Sequence, residues 1–333
     1  MRAQSGANAS HAVIPTLASA VDEILRGGVR TRMLTEIAGE SASGKSQLCC
    51  QLALSAQIVA RWGGQEASVI YVNTEGPPPT RRLRALASSA RFIHAFGNAQ
   101  SASEALERIY IVNALGDGDA LLEVLEALSA ALRYAAQADA PVRLIVVDSV
   151  AAPFRDDDGG ASANGGIHAK DSSWAYTIRR AGTLHKATML LKEYATRHDL
   201  ACVVTNHVVD SMRASDGASD GARALKSLGE VITSGRLVVP ALGLAWGHCV
   251  NARCFVSRSA PRAGASVVHA TDEDADEDAS GVERTFRVVF APHLGEASAR
   301  FVLRDDGAWG VVRETSEPSR APRARATSSE FIP

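Results

Sequence analysis

Gly39, Glu40, Ser41, Ala42, Ser43, Gly44, Lys45 and Ser46 constrain what this chain can fold into more than any other stretch. They fit G-x-x-x-x-G-K-[ST], a loop whose backbone N–H groups wrap a phosphate chain because few side chains stand in the way. The pattern needs a strand before it and a helix after it. Residues 34–38 read as a short buried strand, and Gln47 opens a helix with Leu48, Leu52 and Leu54 on its apolar side. In that setting Lys45 reaches the terminal phosphates as a point charge and the Ser46 hydroxyl ligates a magnesium ion. The helix aims the positive end of its dipole at the anion. Gly39 to Gln47 are therefore the predicted nucleotide-binding run.

A chance match would be an ordinary Gly/Ser-rich turn, so the following strands matter. Residues 69–73 read as a buried strand ending in Thr74-Glu75-Gly76. A carboxylate at the carboxyl end of a strand in an open α/β sheet lies where such sheets place their chemistry. Glu75 is the candidate general base, orienting the water that attacks a terminal phosphate; standing alone, it would read as a solvated strand-end glutamate. Residues 143–149 are a nearly continuous apolar run ending in Asp148-Ser149, which suits a central parallel strand. Asp148 at its tip is placed to hold the magnesium through water. A further strand over 200–207 ends in His207, a candidate sensor of the terminal phosphate, although a strand-end histidine is as readily only solvated.

The remaining chain is predicted around this centre. A leader spans 1–15, and Thr16 is expected to cap a helix bearing Leu17, Val21, Ile24 and Leu25, stopped at Gly27-Gly28. Leucines 121, 122, 125, 128 and 132 mark an amphipathic helix whose role is core packing. Two loops, 155–170 and 208–235, lack apolar period. The second mixes Arg213, Arg223, Lys226 and Arg236 with Asp210, Asp216, Asp220 and Glu230, which ordinarily marks a solvated connector. Short strands dominate beyond residue 237, at 237–239, 253–256, 286–290 and 300–303. An acidic insertion interrupts them at about 264–282 and lacks the glycine turn and distal glutamate of a calcium loop. The predicted organisation is a leader at 1–15, one core at 16–312 and a basic unstructured tail at 313–333.

Composition bounds the partners. A formal charge of -2 over 333 residues gives no global basic footprint, so contact with nucleic acid must come from local loops. The five cysteines form no C-x-x-C pair, which reads as small buried residues of a reducing compartment. No secretory leader pattern or membrane-length apolar run is present, so a soluble intracellular protein with no membrane partner is expected.

With these pieces placed, the chain resembles the RecA-like recombinases, and within them the eukaryotic recombinase-paralog branch. The resemblance rests on residues 34–39 with the lysine loop, Tyr71-Val72-Asn73-Thr74-Glu75 with Arg82, and the run from Val147 through Asp148 to Arg155. Val204-Thr205-Asn206, the block from Pro240 to Trp246, and Ala291-Pro292-His293-Leu294 complete it. It covers about residues 15–312. It implies an α/β fold: a P-loop NTPase with a RecA-like core, its mostly parallel twisted sheet flanked by helices. It implies ATP and magnesium as cofactors, Arg82 as a cation over the adenine, and loops 155–170 and 208–235 facing DNA. Arg155, Arg213, Arg223, Lys226 and Arg236 become the DNA-binding candidates. The family role is homologous-recombination repair in the nucleus, on single-stranded or branched DNA, in a heteromer with another recombinase paralog. The chain differs from filament formers in its short segment ahead of the core, in His207 where they carry a sensing glutamine, and in Gly295 where they carry a proline.

Three functions are compatible with these residues. One is a weak DNA-stimulated ATPase, with Lys45 and Glu75 catalytic. Another is a scaffold whose nucleotide only switches assembly. The third, a small-molecule kinase, gives no account of the 148–155 and 240–246 blocks.

Overall fold

The structure is a computed structural model, and it describes residues 12–58, 67–136, 141–155, 168–211, 230–233, 236–258 and 282–311. The chain opens with β1 (Val13–Ile14), α1 (Ser19–Ile24) and β2 (Val29–Arg30), then β3 (Leu34–Gly39) and α2 (Lys45–Ser55) on either side of the lysine loop. β4 (Ser68–Asn73), α3 (Thr80–Ala87), α4 (Ala90–Phe96), α5 (Ala99–Glu107), β5 (Ile109–Asn113), α6 (Gly118–Ala135) and β6 (Val142–Asp148) follow. After α7 (His168–Arg197) come β7 (Ala201–Asn206), β8 (Val208–Asp210), β9 (Val231–Thr233), β10 (Arg236–Pro240) and the short α8 (Gly243–Gly247). β11 (Ala252–Arg258), β12 (Glu283–Phe290), β13 (Ala297–Arg304) and β14 (Gly307–Gly310) close the described chain.

Nine strands form one sheet in the order β14-β13-β12-β11-β3-β7-β6-β4-β5. The six from β11 to β5 pair in parallel, and β12 to β14 extend the β11 edge antiparallel. The central strands are apolar on both faces because both faces are covered. Val69, Tyr71, Leu144, Val146 and Val203 share a cluster with Leu48, Leu52, Leu83, Leu86 and Phe92 from α2 to α4. Their alternates Ile70, Val72, Ile145, Val147 and Val204 pack with Leu121 and Leu125 of α6, Leu184 and Leu191 of α7, and Trp246. This is the helix-flanked, mostly parallel sheet that the resemblance implies.

Several boundaries move. The ordered unit starts ahead of residue 16, because Val13 and Ile14 pair with β2 and Ile14 is fully buried. Thr16 does not cap α1. Ala18 holds that position, and the Thr16 hydroxyl accepts from the Ala18 N–H while its own N–H donates to Asp22. α7 begins at His168, inside the span read as a loop. The 208–235 span contains β8 and β9, which flank β10 in a separate antiparallel sheet. β14 was not predicted: its Gly307-Ala308-Trp309-Gly310 is too short and glycine-rich to read as a strand. The acidic insertion up to residue 281 and the 313–333 tail lie outside the described residues.

Candidate nucleotide site

The loop between β3 and α2 owes its shape to its glycines. Gly44 sits at φ +109°, and a Cβ on Gly39 would stand 2.3 Å from the Val256 carbonyl oxygen. No side chain caps the N-terminus of α2, so an anion can take its first N–H groups. Lys45 is buried and donates to the carbonyls of Gly39 (2.8 Å) and Glu40 (2.7 Å). Burial holds its ammonium below the ordinary value, against the opposing pull of Asp148 and Glu75. The Ser43 hydroxyl is buried with no hydrogen-bond partner among the described residues. An uncapped helix start, a buried cation and an idle hydroxyl around one loop fit a bound polyphosphate.

A cleft of about 320 Å³ opens over this loop, walled by Ser41, Ala42, Lys45, Ser46 and Gln47 on one side and by Glu75, Asp148, Ser149 and His207 on the other. The strand order explains the meeting. Asp148 ends β6, Glu75 lies two residues past β4, and His207 follows β7, all at the carboxyl edge beside β3. Asp148 is fixed by the Tyr71 hydroxyl on Oδ2 (2.6 Å) and by Thr205 Oγ1 on Oδ1. Burial, and then the Asp148 charge, push the Tyr71 phenol well above its usual value, so it remains a donor. No group of three or more His, Cys, Asp or Glu side chains converges as a metal cage among the described residues. Ser46 with Asp148 instead suits magnesium held by substrate phosphates and water.

Glu75 is held. Arg155 Nη1 and Nη2 donate to its two oxygens at 2.8 and 3.0 Å, and His207 Nε2 lies 3.3 Å away. Burial pulls the Glu75 carboxyl upward, but the hydrogen bonds and charge of Arg155 oppose it most and the carboxyl lies below the ordinary range. His207 is itself held below its ordinary value, by burial first and then by the Lys45 and Arg155 charges, with Glu75 opposing.

The other predicted residues separate. Arg82 is not in the cleft wall; its guanidinium donates to the carbonyls of Asp305 and Arg304, both at 2.9 Å. Arg236 pairs with Asp210 (3.1 Å) and with Glu40 of the lysine loop (2.7 Å), and Thr233 also donates to Glu40 (3.0 Å). The stem of the second loop is thereby fastened to the phosphate loop. Arg213, Arg223 and Lys226 lie outside the described residues.

Residue comparison then places the chain. The family description Rad51 matches residues 9–239, more than half of the protein. This chain belongs to the Rad51 family. It is similar to the DNA repair protein XRCC3 homolog of Arabidopsis thaliana, at 34% identity over 87% of this chain and 90% of that protein. It is also similar to DNA repair protein XRCC3 of Bos taurus (31%, over 87% and 72%) and to DNA repair protein RAD51 homolog 2 of Mus musculus (29%, over 77% and 69%). The RecA-like assignment and the paralog-branch resemblance are both borne out.

Sequence reasoning missed the residues that support the site. Leu303, from β13, forms part of the cleft wall and lies against the loop at Gly44. Below the loop, Glu36 is fully buried and accepts from Asn206 Nδ2 (2.6 Å), Trp246 Nε1 (2.9 Å) and Arg253 Nε. A glutamate inside an apolar strand was the available signal, since a buried charge needs partners.

Proposed function

We propose that this chain is a nuclear ATP-binding subunit of homologous-recombination DNA repair that hydrolyses ATP slowly, acts on single-stranded or branched DNA, and works in a complex with another recombinase paralog. One observation carries the hydrolytic part: Glu75 and Asp148 face Lys45 and Ser46 across a single cleft. The names of the relatives, which are DNA repair proteins over most of their lengths, support the cellular part. No described helix is long and apolar enough to cross a membrane.

In this reading the loop N–H groups and the Lys45 ammonium hold the β- and γ-phosphates. The Ser46 hydroxyl and Asp148, the latter through water, would hold magnesium. Magnesium, when bound, neutralises charge developing on the phosphates. Glu75 accepts a hydrogen bond from a water and aligns it with the terminal phosphorus, and the water proton passes to Glu75 Oε or to bulk solvent. His207 donates to the terminal phosphate when its Nε2 carries a proton. Arg82, whose guanidinium donates to two carbonyls beside the cleft wall, would stack on the base.

Steady-state phosphate release by the purified chain, with and without single-stranded DNA, tests this. Release raised by DNA is expected in the wild type. Lys45→Ala should lose nucleotide binding, and Glu75→Gln should keep binding while losing about 10²-fold or more of turnover. Unchanged turnover in Glu75→Gln would sink the assignment of the base. A second reading, a nucleotide-switched scaffold without turnover, is favoured by the occupation of Glu75 by Arg155. Tight ATP binding with no release on any DNA would establish it instead.

A further inference from the structure

Arg155 is a DNA-contact candidate by resemblance, yet its guanidinium is committed to two residues of the cleft wall, Glu75 and His207. It stands directly after the short helical turn at Ala152–Phe154, next to the 156–167 segment. It grips Glu75 with two N–H bonds, and its Nη2 lies 2.6 Å from His207 Nε2. The second contact fixes a chemical state. A guanidinium keeps its protons and cannot accept, so at 2.6 Å the His207 Nε2 must offer its lone pair. With Arg155 as its donor His207 is neutral and carries its proton on Nδ1, so the 3.3 Å approach of Nε2 to Glu75 Oε2 shares no proton in this state. The Ser149 hydroxyl, 3.1 Å from the same nitrogen, can also donate to it. In this state each Glu75 oxygen carries an N–H of the Arg155 cation, and His207 has no proton on the nitrogen that faces Arg155.

We propose that Arg155 is a restraining residue. It keeps Glu75 and the Nε2 of His207 out of reach of the terminal phosphate until a phosphate oxyanion draws the guanidinium away. A phosphate competes well for this cation, since planar two-point bonding suits it as it suits a carboxylate. The pair is nearly half exposed at both ends, so its hold is weak enough to exchange. The oxyanion comes from the nucleotide's own terminal phosphate or from a DNA backbone, which gives DNA a direct lever on the base. The turnover half of this inference rests on the function proposed above; the protonation state of His207 does not.

The test uses the full chain labelled with ¹⁵N, with the imidazole of His207 assigned by its disappearance in His207→Gln. The groups facing this imidazole are Glu75, Arg155 and Lys45, with the Ser149 hydroxyl. The wild type should show the neutral Nδ1–H tautomer and titrate below the ordinary histidine value. Arg155→Ala should titrate higher and mix tautomers, and Arg155→Lys, a point charge without the fork, should fall between. An unmoved imidazole in both variants overturns the restraint. Adding a non-hydrolysable ATP analogue alone, or single-stranded DNA alone, to the wild type identifies the source by which one shifts the His207 signals; a shift from neither overturns the release.

Phosphate release gives the second arm. Arg155→Ala should raise DNA-free turnover about two- to fivefold, the scale of freeing an exposed ion pair, and should flatten the response to DNA. A fall of about 10³-fold would make Arg155 a cation that stabilises the transition state, and would overturn the proposal. A wild type with no release at all defeats the ATPase reading, while the imidazole spectrum still decides the restraint.

Discussion

Asp22 shows how a single residue sets a pH dependence far from the cleft. It sits in the first turn of α1 and accepts from the Thr16 N–H, while burial raises its carboxyl to about 6 from an ordinary 3.8. A carboxyl with a raised native value binds its proton more tightly folded than unfolded. Stability is then fully present below pH 3.8 and declines as pH rises through about 6. The whole shift amounts to at most about 3 kcal/mol at neutral pH. Asp22→Asn keeps an oxygen for Thr16, so it should raise the urea midpoint at pH 7.5 and flatten its decline between pH 4 and 7; an unchanged pH slope would contradict the assignment. No pattern in the sequence marks Asp22, since an acidic first turn is ordinary for a helix and α1 packs against β13 and β14, which lie far along the chain. That Lys45, Ser46, Glu75 and Asp148 meet in one cleft was legible, because the roles proposed for them need a residue type at a strand end or loop position. The partners that hold them, Tyr71, Thr205 and Arg155, were not legible as such, because cross-strand neighbours follow from sheet order and no local period encodes it.

At the scale of elements, Glu36 ties together four pieces that sequence keeps far apart. It lies on β3, its partners Asn206 and Arg253 on β7 and β11, and Trp246 on α8. β3 is flanked by β7 and β11 in the sheet, so the carboxylate pins the strand that carries the phosphate loop to both neighbours. Removing one charge of such a buried pair is costly, because the other stays desolvated. Glu36→Gln should lose about 3–5 kcal/mol of unfolding free energy, and so should Arg253→Gln. The double variant should lose clearly less than the sum, a coupling that a chemical-denaturation cycle measures directly; additive losses would mean the two charges do not interact. The same comparison explains which elements could be read ahead of the structure. β3, β4, β6 and β7 are six- or seven-residue strands of mostly apolar residues because helices cover both sheet faces, and such runs announce themselves. β1, β8, β9 and β14 have two to four residues each, and pairing with a partner strand, not composition, makes them strands.

At the scale of the whole molecule, one cleft gathers residues from elements far apart in sequence. Lys45 and Ser46 come from α2, Glu75 from beyond β4, Asp148 from β6, His207 from beyond β7 and Leu303 from β13, so the cleft draws on the ends of adjacent parallel strands and on antiparallel β13. Glu40 extends that reach through Arg236 and Thr233 into the three-stranded sheet. A nucleotide that binds only the folded chain therefore stabilises it as a unit, by about 2.7 kcal/mol at a hundredfold excess over Kd. For a body of this size that corresponds to a rise of roughly 5 °C in Tm. ATP with magnesium should produce this rise in the wild type and in Glu75→Gln, which keeps every phosphate contact, and should fail to do so in Lys45→Ala. A non-hydrolysable analogue should match ATP, because the stabilisation comes from binding alone. Differential scanning fluorimetry reads all four cases. A wild type unmoved by either nucleotide would show that the lysine loop holds no polyphosphate, and the reading of the cleft would fall with it.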